Sequence, residues 1–222
     1  MAFFTPDFIA FFQELEADNH RDWFQANRKR YLKSVKAPFE AFVATLIGHI
    51  QARDPEVAIA PSDAIFRINR DIRFSPDKRP YKLFAGALIS PAGRRDMQTP
   101  GFYFQLGGHG AMIAGGAYQP DTAHRDRIRA AIAERGEVLE AALADPAFVE
   151  RFGTLQGEQN KVLPREFKPH LERYPMIANK QFFYMAELPD PAVVLRDDLD
   201  ALLMEHYRAA EGVQAFLRQA LV

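Results

Sequence analysis

Phenylalanines recur at helical spacing near the start of the chain and limit what this region can form. Positions i, i+3, i+4 and i+7 hold Phe8, Phe11, Phe12 and Leu15. This spacing predicts one apolar stripe on a helix. Thr5 and Pro6 suit the first positions of that helix, and Asp18 or Asn19 is expected to cap a second one.

A third helix is expected to start near Pro38. Its apolar positions keep the helical period: Phe39, Phe42, Val43, Leu46, Ile47 and Ile50. It should end before Asp54-Pro55, because the residue before a proline avoids the helical region. The 19 phenylalanines favour a core built on large rings.

The middle of the chain predicts strands. The β-favouring stretches are 64–68, 83–90, 101–106 and 111–117. Gly107 and Gly108 separate the last two stretches, which is typical of an antiparallel hairpin. A further strand is expected over 181–186.

The second half also contains helical patterns. A helix capped by Asp121 or Thr122 should stop at Gly136, and others are expected over 137–144 and 197–221, with a loop over 153–175. The expected fold class is α+β, with amino-terminal helices packed on a mainly antiparallel sheet and further helices in the carboxy-terminal half. One domain over 1–222 is the simplest account, because no linker-like break in composition occurs.

Composition excludes several classes of protein. Apolar residues make up 48% and charged residues 26%, a mix that is typical of soluble globular proteins. The net charge of −1 argues against a nucleic-acid binder that uses its whole surface. The sequence has no cysteine, which excludes thiol nucleophiles and cysteine-bound metals. Without an apparent signal peptide or an apolar span, we expect a cytoplasmic protein with no membrane partner.

Positive charge is concentrated in residues 66–82, FRINRDIRFSPDKRPYK. Six Lys and Arg against two Asp give this segment +4 in a chain of −1. Ordinary surface tends to mix the two signs. Guanidinium groups match phosphate or carboxylate oxygens in a bidentate way. If 65–70 is extended, Arg67 and Asn69 share one face.

The segment therefore predicts an anion-binding site. Its expected ligand-binding residues are Arg67, Asn69, Arg70, Asp71, Arg73, Ser75, Asp77, Lys78, Tyr81, Lys82, Tyr103 and Tyr118. The expected partner is a phosphorylated small molecule, such as a phosphate ester or nucleotide, and the protein could be an enzyme that acts on it. Two alternatives stay open. The same segment could contact a nucleic acid or a protein, or its Asp and Arg residues could form a structural clamp with no ligand.

No motif identifies a reaction. The six histidines lack metal-binding spacing, and no serine has the context of a nucleophile. We therefore predict no metal site and no cofactor, and we assign no catalytic residue. His109, at the expected hairpin tip, is either a proton carrier or a solvated turn residue.

The run from Arg67 to Lys82 resembles the signature of a protein family, domain of unknown function 2461 (DUF2461). Other matching positions are Trp23, Phe24, Asn27, Tyr31, Gly101-Phe102-Tyr103 and Gly116-Ala117-Tyr118. The resemblance covers almost the whole chain. It implies a soluble α+β protein, mostly bacterial with some fungal relatives, and no established activity. Asn27 is a polar residue on an apolar helix face, so we expect it to hydrogen-bond a loop of the basic segment.

Overall fold

The computed structural model describes residues 2–222. Four strands form one antiparallel sheet in the order β1-β2-β3-β4. They are β1 (Phe84–Ile89), β2 (Gly101–Gly107), β3 (Gly110–Ala117) and β4 (Phe182–Leu188). Helices precede the sheet and follow its first three strands. The expected α+β class and the β2–β3 hairpin are therefore confirmed.

The chain folds as two compact units. The first unit comprises residues 2–94, 103–113 and 187–204, and the second comprises 95–102, 114–186 and 205–222. Strands β2, β3 and β4 each contribute residues to both units. The whole basic segment belongs to the first unit.

The first unit begins with the phenylalanine stripe. Helix α1 (Pro6–Ala17) buries the four predicted residues, Phe8, Phe11, Phe12 and Leu15. Helix α2 (Arg21–Ala26) follows, and its N-cap is His20, whose ring accepts a hydrogen bond from the Trp23 amide. The predicted cap at Asp18 or Asn19 is therefore wrong by one or two residues. The Asn19 side chain does not cap this helix and makes its hydrogen bonds to another part of the chain.

A π-helical turn interrupts the next helical run. The run consists of α3 (Arg28–Arg30), a π-helix (Tyr31–Lys36) and α4 (Ala37–Gln51). Helix α4 buries all six predicted apolar residues and ends before Asp54, as expected. The π-helix was not predicted, since it follows no apolar period. Burial and the nearby Glu40 raise the pKa of Tyr31 to about 12.

The expected strand over 64–68 is only partly formed. Helix α5 (Pro61–Ala64) ends there, and pairing continues as two isolated antiparallel bridges, Ile65 with Ala87 and Asn69 with Tyr81. Pro80, opposite Arg70, limits longer pairing because proline cannot donate a backbone hydrogen bond.

The second unit contains a helix that was expected to break. Helix α6 (Thr122–Leu143) continues through Gly136, with a kink at Arg135 (φ −142°, ψ 38°). A Cβ at position 136 would lie 2.7 Å from the Tyr174 ring. The glycine therefore serves close packing, which explains why interpreting it as a helix stop was wrong.

The remaining helices complete the chain. Helix α7 (Pro146–Phe152) follows α6, and the expected 197–221 helix is two helices, α8 (Leu199–Ala209) and α9 (Glu211–Gln219). The 153–175 loop contains a 3₁₀ turn, Arg165–His170. Across residues 2–222, we find no helix with the length and apolar character needed to cross a membrane.

Candidate functional site

The basic segment forms an arm of two extended stretches that are joined by one isolated bridge and end in a loop. The Arg70 amide donates to the Pro80 carbonyl and the Lys82 amide donates to the Ile68 carbonyl, both at 2.8 Å. These bonds flank the Asn69–Tyr81 bridge. Residues 71–79 close the arm as an exposed loop. Arg67 and Asn69 are both exposed, as strand alternation predicts.

The base of the arm is fixed to helix α2 by Tyr81. This ring is only 5% exposed and stacks on Phe24, with the ring centroids 4.1 Å apart. The Asn19 side chain holds the Tyr81 backbone from both sides. Its Nδ2 donates to the Tyr81 carbonyl at 3.0 Å, and its Oδ1 accepts from the Tyr81 amide at 3.2 Å. Tyr81, predicted as a ligand residue, is thus placed in the core.

Asn27 does not hold the basic segment as expected. Its Nδ2 donates to the Trp23 carbonyl one turn earlier in the helix, at 3.0 Å. Asn19, eight residues earlier, makes the bond that was expected of Asn27. No sequence signal indicated this role, because Asn19 fits the position of a helix cap.

Three of the arginines in the segment bind its own carboxylates. Asp77 accepts from Arg70 Nη1 at 2.6 Å and from Arg79 Nη2 at 2.8 Å. Asp71 accepts from Arg73 Nη2 at 2.7 Å. The hydrogen bonds from Arg73 lower the pKa of Asp71 to about 2. Those from Arg79, with a smaller contribution from Arg70, hold the pKa of Asp77 well below its usual range.

Two further contacts lie within the loop itself. Lys78 Nζ donates to the Ile72 carbonyl at 3.0 Å, and an Arg70 nitrogen lies 3.4 Å from Ser75 Oγ. Exposed ion pairs contribute little to stability. They do orient the loop, so the clamp interpretation accounts for Arg70, Arg73 and Arg79.

Two cations of the segment have no such partner. Within residues 2–222, neither Arg67 nor Lys82 makes a side-chain hydrogen bond or an ion pair. Lys82 is half-buried, with Nζ 5.1 Å from the centroid of the Phe66 ring. Burial, and to a smaller extent the charge of Arg67, lower the pKa of Lys82. The charge of Arg67 also contributes, as the smallest of several causes, to the lowered pKa of Asp71. Two like charges that interact with each other and make no ion pair favour an incoming anion.

Aromatic rings lie beside this pair of cations. Phe66 packs edge-on against Tyr103, with the centroids 6.0 Å apart. The Tyr103 hydroxyl donates to Gln105 Oε1 at 3.1 Å. Gly86 makes room for this hydroxyl, since a Cβ there would lie 3.2 Å from it. Both Tyr103 and Gln105 are partly exposed, whereas Phe104 between them is buried against Phe39 and Phe42.

A groove continues along this open face of the sheet. Its volume is about 280 Å³. Its lining includes Leu83, Phe84, Gln105, Met112 and Glu187. Sequence reasoning missed Phe66, Gln105 and Glu187 because each follows an ordinary strand pattern. A polar residue at an outward strand position gives no sign that the outer face is concave.

Tyr118, the last predicted ligand residue, belongs to the second unit. It is 53% exposed and packs edge-on against Phe183, with the centroids 5.1 Å apart. Its assignment to the ligand site stays a prediction.

Two further predictions concern chemistry outside the basic segment. His109 lies at the β2–β3 turn, where its Nε2 is 2.6 Å from Glu16 Oε2. This histidine is exposed and paired, as a surface turn residue would be. Within residues 2–222, no three His, Asp or Glu side chains come close enough together to hold a metal ion.

Comparison with protein-family models identifies one family. A family model described as a conserved hypothetical protein (DUF2461) matches residues 7–216. No curated protein matches the chain.

Proposed function

We propose that this chain, which belongs to the DUF2461 family, binds a phosphate ester through Arg67 and Lys82. The observation that carries the proposal is the pair itself. Arg67 is close enough for its charge to lower the pKa of half-buried Lys82, and within residues 2–222 neither side chain makes a hydrogen bond or an ion pair with a carboxylate. Charge-assisted hydrogen bonds to phosphate are about twice as strong as neutral ones. A phosphate between Arg67 and Lys82 would compensate both.

The rest of the segment supports this role indirectly. The clamp formed by Arg70, Arg73 and Arg79 with Asp71 and Asp77 orders the loop. Asn69, on the same face as Arg67, has no hydrogen-bond partner for its side chain within residues 2–222. Its amide is therefore available to contact an anion held by Arg67.

The rings give the site its apolar side. Phe66 lies next to the Lys82 ammonium and packs against Tyr103. The partly exposed faces of these rings suit the carbon skeleton of an ester. Ligand sites usually combine such apolar walls with a few polar groups that set the orientation. This combination favours an organic phosphate over a free inorganic ion.

The test uses variants that remove charge but keep side-chain length. We expect ribose 5-phosphate to raise the melting temperature of the parent protein at constant ionic strength. Arg67→Met and Lys82→Met should each weaken its affinity by about 10- to 100-fold, the cost of losing one hydrogen bond to a charged group. Arg73→Met is the matched control and should change affinity by less than about threefold, because Arg73 already serves Asp71.

Two outcomes would contradict the proposal. One is that ribose 5-phosphate, glycerol 3-phosphate and pyrophosphate all leave the melting temperature unchanged. The other is that Arg73→Met weakens binding as much as Lys82→Met does. In that case the clamp arginines, rather than the unpaired cations, would be the binding groups.

One observation supports a second candidate function, contact with single-stranded nucleic acid. Phe74 is 92% exposed at the tip of the ordered loop, and the Arg73 guanidinium lies 5.8 Å from its ring centroid. Exposed rings beside cations can stack on bases. This candidate predicts salt-sensitive binding of oligo(dT) that Phe74→Ala weakens by at least tenfold. Unchanged binding in Phe74→Ala would exclude stacking at the loop.

We further propose a cytoplasmic location. The support is compositional: the chain of 222 residues has no cysteine, so it forms no disulfide and is compatible with a reducing compartment.

A further inference from the structure

The groove on the open sheet face has polar groups that nothing in the described chain uses. Gln105 accepts from the Tyr103 hydroxyl through Oε1, while its Nε2 makes no hydrogen bond within residues 2–222. The Glu187 carboxylate is exposed and likewise has neither a hydrogen bond nor an ion pair in that range. The groove therefore presents two amide N–H donors and one anionic acceptor.

The floor between these groups is apolar. Phe84 on β1 and Met112 on β3 line the groove together with Leu83. A flat ring is well suited to such a floor, because aromatic and thioether groups pack favourably against a ring face.

The groove adjoins the phosphate site through a series of contacts. Lys82 lies directly before Leu83 and Phe84 in the chain. Its ammonium contacts Phe66, which packs on Tyr103, and Tyr103 bonds to Gln105. One end of this surface is thus positive and the other end, at Glu187, is negative.

The distance between the ends suits a small ligand rather than a polymer. Glu187 lies on β4, and Lys82 leads into β1 at the other edge of the sheet. Three strand spacings of about 4.8 Å separate the two strands, or roughly 14 Å. Both side chains are long, so the gap between their charged groups can be shorter than the backbone separation.

From these features we infer that the ligand is a nucleoside monophosphate whose base carries an exocyclic amino group. This inference rests on the phosphate site proposed above. The phosphate lies at Arg67 and Lys82, and the base lies on the Phe84 floor. The exocyclic amine donates to Glu187, and the neighbouring ring nitrogen accepts from Gln105.

The pattern of donors and acceptors makes the inference specific. Adenine presents an amine donor beside a ring-nitrogen acceptor, and cytosine does the same. Hypoxanthine and uracil present a carbonyl acceptor beside an N–H donor. Their carbonyl would face the Glu187 carboxylate, so an IMP or UMP ligand would leave charged and polar groups unpaired.

The test compares ligands that differ only in this edge. Calorimetric titration of the parent protein should give an affinity for AMP at least about tenfold higher than for IMP, and the same order for CMP over UMP. Glu187→Ala should lower AMP affinity and raise IMP affinity, because the variant loses both the amine–carboxylate bond and the unfavourable carbonyl–carboxylate contact, so that most of the preference for AMP disappears. Glu166→Ala, at an exposed glutamate of the second unit, should leave all affinities unchanged.

The titration separates failure of the inference from failure of the phosphate site. Equal affinities for AMP, IMP and ribose 5-phosphate, all lost in Lys82→Met, would leave the phosphate site standing and overturn the nucleotide inference alone. Preference for AMP that persists in Glu187→Ala would overturn the placement of the base. Absence of binding by every probe would overturn both.

Discussion

Removal of the Asn19 side chain tests how the basic arm is fixed. Asn19→Ala deletes two hydrogen bonds, of 3.0 and 3.2 Å, to the backbone of Tyr81, whose side chain is 5% exposed. At about 1 kcal/mol of net stability for each bond, the free energy of unfolding should fall by about 2 kcal/mol. Asn27→Ala is the matched control. Within residues 2–222, the one hydrogen bond of its side chain goes to a carbonyl one helical turn earlier, and we expect a change below about 0.5 kcal/mol.

Urea unfolding followed by fluorescence measures this difference within the first unit. Trp23 is the only tryptophan and lies in α2 beside the arm, so its emission reports on this unit. With a urea slope of about 1–3 kcal/mol per molar, a loss of about 2 kcal/mol should lower the Asn19→Ala midpoint by about 0.7–2 M. Equal midpoints for the two variants would refute the role given to Asn19.

Three other perturbations test the described contacts. In a ¹³C NMR titration, the Asp71 carboxylate should show a pKa of about 2 rather than 3.8. Because the pKa is lowered in the folded state, the stabilising contribution of Asp71 is present above about pH 4 and is lost as the pH falls towards 2. A titration midpoint near 3.8 would refute the clamp. Tyr184→Phe removes a buried hydroxyl that donates to Gln214 at 3.1 Å and should cost about 1–2 kcal/mol of unfolding free energy without changing phosphate-ester affinity. Gly115→Ala brings a Cβ into steric conflict with the Tyr184 hydroxyl and should lower the melting temperature. Combination with Tyr184→Phe should recover part of the loss, and strict additivity would contradict this contact.

Local patterns predicted the elements whose formation depends on local signals. Helices α1 and α4 follow the apolar period and the proline positions, and the β2–β3 hairpin follows its glycines. Each of these signals lies within the element that it specifies. The sequence therefore contains the information in a form that spacing alone can reveal.

Predictions failed where a distant contact decided the structure. Gly136 is a helix breaker by local propensity, but the Tyr174 ring needs the space that a Cβ would fill. Likewise, local capping rules placed Asn19 at a helix end, whereas its partner is 62 residues away. No spacing rule connects such pairs.

The candidate site was predictable in position but not in detail. Charge concentration identified residues 66–82, yet it could not tell paired from unpaired cations. Arg73 and Arg67 have the same chemistry, and only the nearby Asp71 hydrogen bonds distinguish them. Gln105 and Glu187 gave no signal, because the groove exists only once the strands are assembled.

The pKa of Lys82 tests the central claim most directly, since the account depends on an ammonium group that lacks a counter-ion. NMR titration of the ¹³Cε-labelled lysines, with and without ribose 5-phosphate, measures it. We predict a Lys82 pKa below the usual 10.5 in the free protein, and a rise when the phosphate ester binds, with the Lys78 pKa unchanged. A Lys82 pKa that is normal in the free protein and unmoved by the ester would contradict the account.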